Sequence, residues 1–433
     1  MFDRDPKTPA RKLAVHCLRA GIDAASPETA VRRHCRLAGD TLHIRGEEYD
    51  LDTFDHILVL GGGKAADDLA AGLEAVLGDR IDSGVVVTNE LTADPERVTV
   101  RTGGHPTPDE DSVTSAEAVL QAAETADDRT LVLAAITGGG SALLCAPADG
   151  LSLDALQRVT DHLLDAGAPI EDVNTVRRAC SDIKGGGLAV AAAPAPVVGM
   201  LVSDVVGDDP SVIASGPTVP AAVDPEVALA VLEQYGVNAP EIVAWLEAAD
   251  YEPAPTLTVD NHVIASGRDA IDAAIGVARE ADYEPCLLST RIEGEASEAG
   301  RFHAAVATEA LESGNPVSPP AVLLSGGETT VTVTGDGTGG PNLEWALAAG
   351  LGAPDRTVFA AVDTDGSDGS TDAAGAIVDA GTVGEGDEEA ARRALDDNDS
   401  YPFLDARDAL LRTGPTGTNV NDLRVVILGQ IGR

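Results

Sequence analysis

Apolar positions along the chain come in short runs separated by amphipathic stretches. Residues 56–60 form an apolar run that ends in three glycines, and 64–77 then carries apolar residues at helical spacing. The same alternation predicts strands at 84–88, 131–136 and 197–202, a helix at 112–126, and helices near 151–167 and 171–182. It restarts beyond the proline-bearing stretch 251–255, which reads as a linker. Strands are expected at 261–265, 285–289, 321–325, 329–334, 357–362 and 423–428, with helices at 268–280, 295–312 and 342–350. Strand–helix alternation of this kind makes an α/β chain with a parallel sheet, crossover helices, and ligand loops at the C-terminal ends of strands. Two domains are expected, residues 1–245 and 256–433, and no repeat of 20–50 residues is present.

Charge changes the picture of the solvent more than that of the fold. The 72 acidic residues against 29 basic ones give a net charge of −43, while 44% hydrophobic residues mark a globular chain. Such an excess of carboxylates opposes binding to nucleic acid and to anionic membranes, so neither is expected as a partner. Lysine is nearly absent, with Lys7, Lys12, Lys64 and Lys184 the full set, and aromatic residues make up 3%. This balance fits a cytoplasm of molar salt, where the Debye length falls to about 3 Å and self-repulsion is screened. Residues 1–45 run the other way, with nine basic residues against five acidic ones. They read as a basic helical segment docked on the acidic body of the protein. Five cysteines without a C-x-x-C pair indicate a reducing compartment, and the N-terminus lacks the apolar core of a secretory signal.

Chemistry concentrates in the loops. Glycine clusters at 61–63, 103–104, 138–140, 185–187, 326–327 and 339–340 lie at or near predicted strand ends, where backbone amides approach an anion without a Cβ in the way. Two of the four lysines flank such clusters, Lys64 after 61–63 and Lys184 before 185–187. A compact ammonium in these places suits a phosphate or a carboxylate. Residues 61–66 also fit G-x-G-x-x-A loosely, but the acidic residue for a ribose is not at the expected spacing, and Leu58 and Ala65 exclude a P-loop. Two acidic loops, one with Asp204, Asp208 and Asp209 and one with Asp363, Asp365 and Asp368, offer hard oxygen ligands of the kind Mg²⁺ takes beside phosphate oxygens.

Longer strings are more specific. They include Gly61-Gly-Gly-Lys-Ala65, Gly104-His-Pro-Thr-Pro108, Thr137-Gly-Gly-Gly-Ser-Ala-Leu143, Asn174-Thr-Val-Arg177, Ser181-Asp-Ile-Lys-Gly-Gly186, Ser203-Asp-Val-Val-Gly-Asp208 and Ala214-Ser-Gly-Pro-Thr218. The C-terminal part adds Leu324-Ser-Gly-Gly-Glu328, Thr364-Asp-Gly-Ser-Asp-Gly369 and Thr413-Gly-Pro-Thr-Gly-Thr-Asn-Val-Asn-Asp422. In these strings the chain resembles the type-2 glycerate kinases, a two-domain family whose C-terminal part is called the MOFRL domain.

The resemblance implies a Rossmann-like αβα sandwich followed by an α/β MOFRL-type domain, with the active site in the cleft between them. It also implies transfer of the ATP γ-phosphoryl group to D-glycerate, most often at the 2-hydroxyl, in a monomer or homodimer. Lys64 matches the family's lysine. The family's arginine in G-G-R-N-Q-E is replaced by Pro341, leaving Arg177, Arg268 or Lys184 to supply a cation. The expected catalytic set is Lys64, Arg177 and Asp204, with Ser141, Glu328 and Asn342 on the substrate. Gly62, Gly63, Gly138, Gly139, Gly140, Lys184, Gly185 and Gly186 are expected on the nucleotide, and Asp204, Asp208, Asp365 and Asp368 on Mg²⁺. Three other readings remain: an NAD(P)-dependent reductase of hydroxypyruvate or tartronate semialdehyde, a non-catalytic nucleotide-binding module, and a calcium-binding structural protein.

Overall fold

The structure is a computed structural model that describes residues 2–3, 7–251 and 253–429. The chain folds into two compact units, Pro27–Ile264 on the one hand and Met1–Ser26 with Ala265–Arg433 on the other. No described helix is long and apolar enough to cross a membrane.

The Pro27–Ile264 unit is built on a six-stranded sheet in the order Val98–Thr102, Ser83–Thr88, His56–Gly62, Thr130–Ile136, Val197–Val202, Val259–Ala265. The first five strands pair in parallel. All seven side chains of the central strand Thr130–Ile136 are buried, as a strand covered on both faces requires. The crossover helices start on sequence-coded caps. Asp109 and Ser112 form a reciprocal capping box at helix Glu110–Ala123, and Ser152 accepts from Ala155 N–H at helix Leu153–Asp165.

The C-terminal unit holds a mixed sheet in the order Glu284–Glu295, Ala321–Thr330, Asp422–Leu428, Thr357–Asp363, Gly375–Asp379, Leu410–Leu411. Its first pair is parallel and the remaining pairs are antiparallel. Trp345 and Phe359 lie fully buried in its core, and Arg424 is buried beside them, bonded to Asp422 and Thr329.

Several expectations are corrected here. The boundary falls at 264–265 instead of 245–256, because Val259–Ala265 is the sixth strand of the first sheet: Val197 N–H donates to Thr258 O (3.0 Å), and Asn261 bonds Thr218. The first 26 residues belong to the C-terminal unit, where helix Pro9–Ala25 packs on helix Gly267–Glu280 and strand Asp422–Leu428. Arg11 bonds Asp379 and Lys7 faces Asp408, so this basic helix does dock on acidic residues. The segment is not helical to residue 45, because Cys35–Ala38, Thr41–Ile44 and Glu47–Asp50 form a small antiparallel meander. The strands expected at 321–325 and 329–334 are one, Ala321–Thr330, in which Gly326 and Gly327 continue the ladder opposite Leu423 and Asp422.

Candidate active site

Three loops at the C-terminal ends of parallel strands His56–Gly62, Thr130–Ile136 and Val197–Val202 meet around a cavity of about 440 Å³. The first carries Lys64. Its N–H donates to Gly138 O (2.7 Å), the next N–H, of Ala65, donates to Thr137 Oγ1 (3.1 Å), and Thr88 Oγ1 donates to Lys64 O (3.1 Å). The lysine backbone is thus fixed by the ends of the two strands that flank its own. Glycine at 63 is required by contact: its φ is +140°, and a Cβ there would lie 2.1 Å from Thr137 Oγ1.

The second loop makes room for the third. A Cβ on Gly138 would stand 2.3 Å from the Asp204 carboxylate, and Gly139 N–H donates to Asp204 Oδ2 (3.2 Å). Burial pushes the Asp204 carboxyl above its ordinary value, while the charge of Lys64 and then backbone hydrogen bonds, the one from Gly139 among them, act in the opposite direction.

Helix Ile170–Ala179 forms another wall and contributes Asn174 and Arg177, one turn apart. Ser141 Oγ lies 2.7 Å from Ser215 Oγ, whose hydroxyl donates to Asn174 Oδ1 (2.9 Å). Lys184 is buried, and its Nζ donates to Leu144 O (2.7 Å), leaving two of the three ammonium protons for other partners. Burial, with a smaller push from Arg177, lowers the Lys184 pKa to about 8, and burial lowers that of Arg177 as well. Cys145, on the same wall, is a buried thiol whose pKa burial raises, against the charges of Lys184 and Arg177. Three cations, the carboxylates of Asp204 and Asp161, and the Ser141 hydroxyl backed by Ser215 make a seat for a multiply charged anion beside a group able to accept a proton.

Of the residues expected from sequence, the fold brings Lys64, Gly139, Ser141, Arg177, Lys184 and Asp204 to this cavity. Asn174 and Gln157 also line it, and Ser215 stands behind them, bonded to Ser141 and Asn174; the sequence assigns none of the three a role. The hint for Asn174 was its helical spacing from Arg177. The amide cradles are corrected. Gly63 N–H donates to Val87 O, Gly185 N–H to Ser215 O, Gly186 N–H to Gly216 O and Gly140 N–H to Thr137 O, so these donors already have partners. Gly62 and Gly138 serve close packing of loops: Gly62 O accepts from Thr137 N–H, and Gly138 O accepts from Lys64 N–H.

The remaining expected residues do other work. Glu328, Asn342, Asp365 and Asp368 belong to the C-terminal unit. Asp368 caps helix Pro341–Leu351, accepting from Asn342 N–H (2.9 Å), Asn342 Nδ2 (3.1 Å) and Leu343 N–H (2.8 Å). Asn342 Nδ2 also donates to Asp422 (2.6 Å). Pro341 sits at the first turn of that helix, where no N–H is needed. Arg268 is an exposed residue paired with Asp272. Among the described residues no three His, Cys, Asp or Glu side chains gather as a metal ion would require. Asp208 does not line the cavity, and Asp368 is committed to its helix. The four aspartates expected on Mg²⁺ therefore do not form a preformed metal cage.

The chain is thus a two-unit α/β protein with a cation-lined cavity, suited to an anionic small molecule, at the ends of parallel strands. Residues 13–247 match the family described as "Domain of unknown function (DUF4147)", and residues 321–422 match the MOFRL family. A D-glycerate 2-kinase of Thermotoga maritima is 38% identical over 99% of both chains. An Agrobacterium vitis protein provisionally named hydroxypyruvate reductase is 39% identical over 86% of this chain and 87% of its own. A crystal structure of glycerate kinase from Thermotoga maritima superposes with a TM-score of 0.85 at 36% identity, covering 97% of this chain and 99% of the other. The chain belongs to the glycerate 2-kinase family with DUF4147 and MOFRL domains.

Proposed function

We propose that this protein transfers the γ-phosphoryl group of ATP to D-glycerate, at the 2-hydroxyl, and releases ADP and 2-phosphoglycerate. The observation that carries the reading is the convergence of Lys64, Arg177 and Lys184 on one cavity with Asp204 beside Lys64. Phosphoryl transfer asks for positioning and charge neutralisation more than for covalent participation. Lys64 and Arg177 hold the glycerate carboxylate and the moving phosphoryl group, and Lys184 neutralises the nucleotide phosphates. Asp204 takes the hydroxyl proton as the oxygen–phosphorus bond forms and the bond to the ADP oxygen breaks. A carboxyl pKa raised by burial suits that task, since a base works best when its pKa approaches the working pH. A divalent cation would arrive with the nucleotide, held mainly by phosphate oxygens.

Reduction with a nicotinamide cofactor fits less well. The amides of Gly63, Lys64, Ala65 and Ala66, which a dinucleotide pyrophosphate would need, all donate within the protein. The working medium we infer is molar salt, from the acidic composition and the scarcity of lysine. The test is a coupled assay in molar KCl with D-glycerate, ATP and Mg²⁺, using enolase without phosphoglycerate mutase. Absorbance from phosphoenolpyruvate is the expected outcome; absorbance that appears only after phosphoglycerate mutase is added moves the acceptor to the 3-hydroxyl, and ADP formed without either signal is hydrolysis and contradicts the proposal.

A further inference from the structure

The cavity is larger and more apolar than a three-carbon acid requires. Helix Ile170–Ala179 serves as a ruler along it. Ile170, Asn174 and Arg177 line the cavity at positions i, i+4 and i+7, one face of the helix, and span about 10 Å at 1.5 Å per residue. The face therefore grades from apolar to amide to guanidinium. At the apolar end, Leu164 from the preceding helix is 51% exposed and Ile170 is 44% exposed. These are two of only eight large hydrophobic side chains left exposed among the described residues, and both belong to this cavity. Pro106 and Pro108 also line it, and Gln157 Nε2 ties their loop to helix Leu153–Asp165 by donating to Pro108 O (2.6 Å). A chain with so acidic a surface leaves an apolar rim of this kind where a ligand covers it.

We propose that the nucleotide base of ATP is seated at this apolar end, against Leu164 and Ile170 on one side and the Pro106–Pro108 loop on the other. The triphosphate then runs along helix Ile170–Ala179 toward Arg177 and Lys184, with its terminal phosphoryl group at Lys64. This rests on the reading of the cavity as a kinase site and adds which part of it holds the donor. The base is held chiefly by apolar contact: Gln157 spends one N–H on Pro108 O, and its second N–H and Oε1, with the Thr160 and Asp161 side chains that also line the cavity, are the polar groups left to meet the base edge or the ribose.

Equilibrium binding without glycerate separates this from the overall reaction. ATP and inorganic tripolyphosphate are titrated by calorimetry into the wild type, a Leu164→Ser/Ile170→Ser double variant, and Arg177→Gln. Both rim residues are half-exposed, so the double variant is expected to keep its fold, which a melting curve checks. The expected result is an ATP dissociation constant raised roughly tenfold or more in the double variant, with tripolyphosphate within about twofold of wild type. Arg177→Gln weakens both ligands. An unchanged ATP affinity in the folded double variant, or an equal loss for tripolyphosphate, overturns the assignment. So does dissociation of an oligomer by the double variant without loss of ATP affinity, which would make the rim a contact between copies of the chain. ATP held in this manner by a protein that fails to phosphorylate glycerate would sink the proposed reaction and leave the base seat standing.

Discussion

Removing the ammonium at Lys64 is the sharpest perturbation the site allows. Lys64→Ala leaves the scaffold intact, because the backbone bonds from Lys64 N–H to Gly138 O and from Thr88 Oγ1 to Lys64 O do not involve the side chain. What is lost is a unit charge in the cavity, which the proposed reaction sets against the transferring group. At about 4 Å and an effective dielectric of about 20, that charge is worth about 4 kcal/mol against one negative charge. If the charge builds up in the transition state, kcat falls by roughly a thousandfold, at about 1.4 kcal/mol per decade. A second effect follows from Asp204. Its carboxyl pKa is already raised by burial, and Lys64 is the chief influence holding it down. The basic form exists above that pKa and disappears as pH falls through it. Losing Lys64 moves the pKa up, so the acid limb of kcat/KM shifts to higher pH. Coupled kinetics across the acid range, with melting curves to verify folding, read both quantities. A variant within about tenfold of wild-type kcat, or one whose acid limb stays in place, refutes the assigned role.

Three other perturbations follow from the same geometry. Lys184 loses its charge as pH rises through about 8, so the KM for ATP is expected to climb between about pH 7 and about pH 9, and Lys184→Arg, which stays charged, flattens that climb. An unmoved alkaline limb in that variant removes Lys184 from the nucleotide site. For stability, the depressed ammonium disfavours the folded state most below pH about 8, and the cost is relieved as pH rises toward the ordinary lysine value of 10.5. Gly138→Ala drives a Cβ into the Asp204 carboxylate, and a loss of roughly a hundredfold in kcat with a modest change in melting temperature is expected; unchanged kinetics would show that Asp204 has no fixed position to defend. Raising KCl from about 0.1 M to about 2 M is expected to raise the melting temperature, because screening relieves the repulsion of 72 acidic residues; a flat or falling curve contradicts the salt-adapted reading.

The parallel core was legible because its strands are bounded by glycines and nearly uniform in apolar character, as in Thr130–Ile136. Lys64, Ser141 and Asp204 lie just past the strands His56–Gly62, Thr130–Ile136 and Val197–Val202, which such a sheet brings to one edge. Arg177, inside helix Ile170–Ala179, and Lys184, between two helices, are not placed there by any strand, and the roles of Arg177 and Ser141 came from the family resemblance. Other features left weaker marks. Val98–Thr102 is an edge strand whose Thr99, Arg101 and Thr102 break the apolar pattern. Membership of helix Pro9–Ala25 in the C-terminal unit depends on contacts more than 200 residues away in sequence, which no local pattern encodes. The glycine loops were visible but their work was not, since a sequence does not say which acceptor will take a given N–H. Gly185 and Gly186 bond Ser215 O and Gly216 O, so that loop supports the wall of the cavity instead of cradling phosphate. Asp368 reads as a metal ligand among glycines until the helix Pro341–Leu351 arrives on its carboxylate.

The most direct measurement is the ³¹P NMR spectrum of ATP and D-glycerate incubated with the wild type and with Lys64→Ala. The account predicts ADP and 2-phosphoglycerate appearing together in equal amounts with the wild type, and neither over the same interval with the variant. Wild-type protein that leaves glycerate unphosphorylated, or a variant that makes the phosphate ester at a comparable rate, contradicts it.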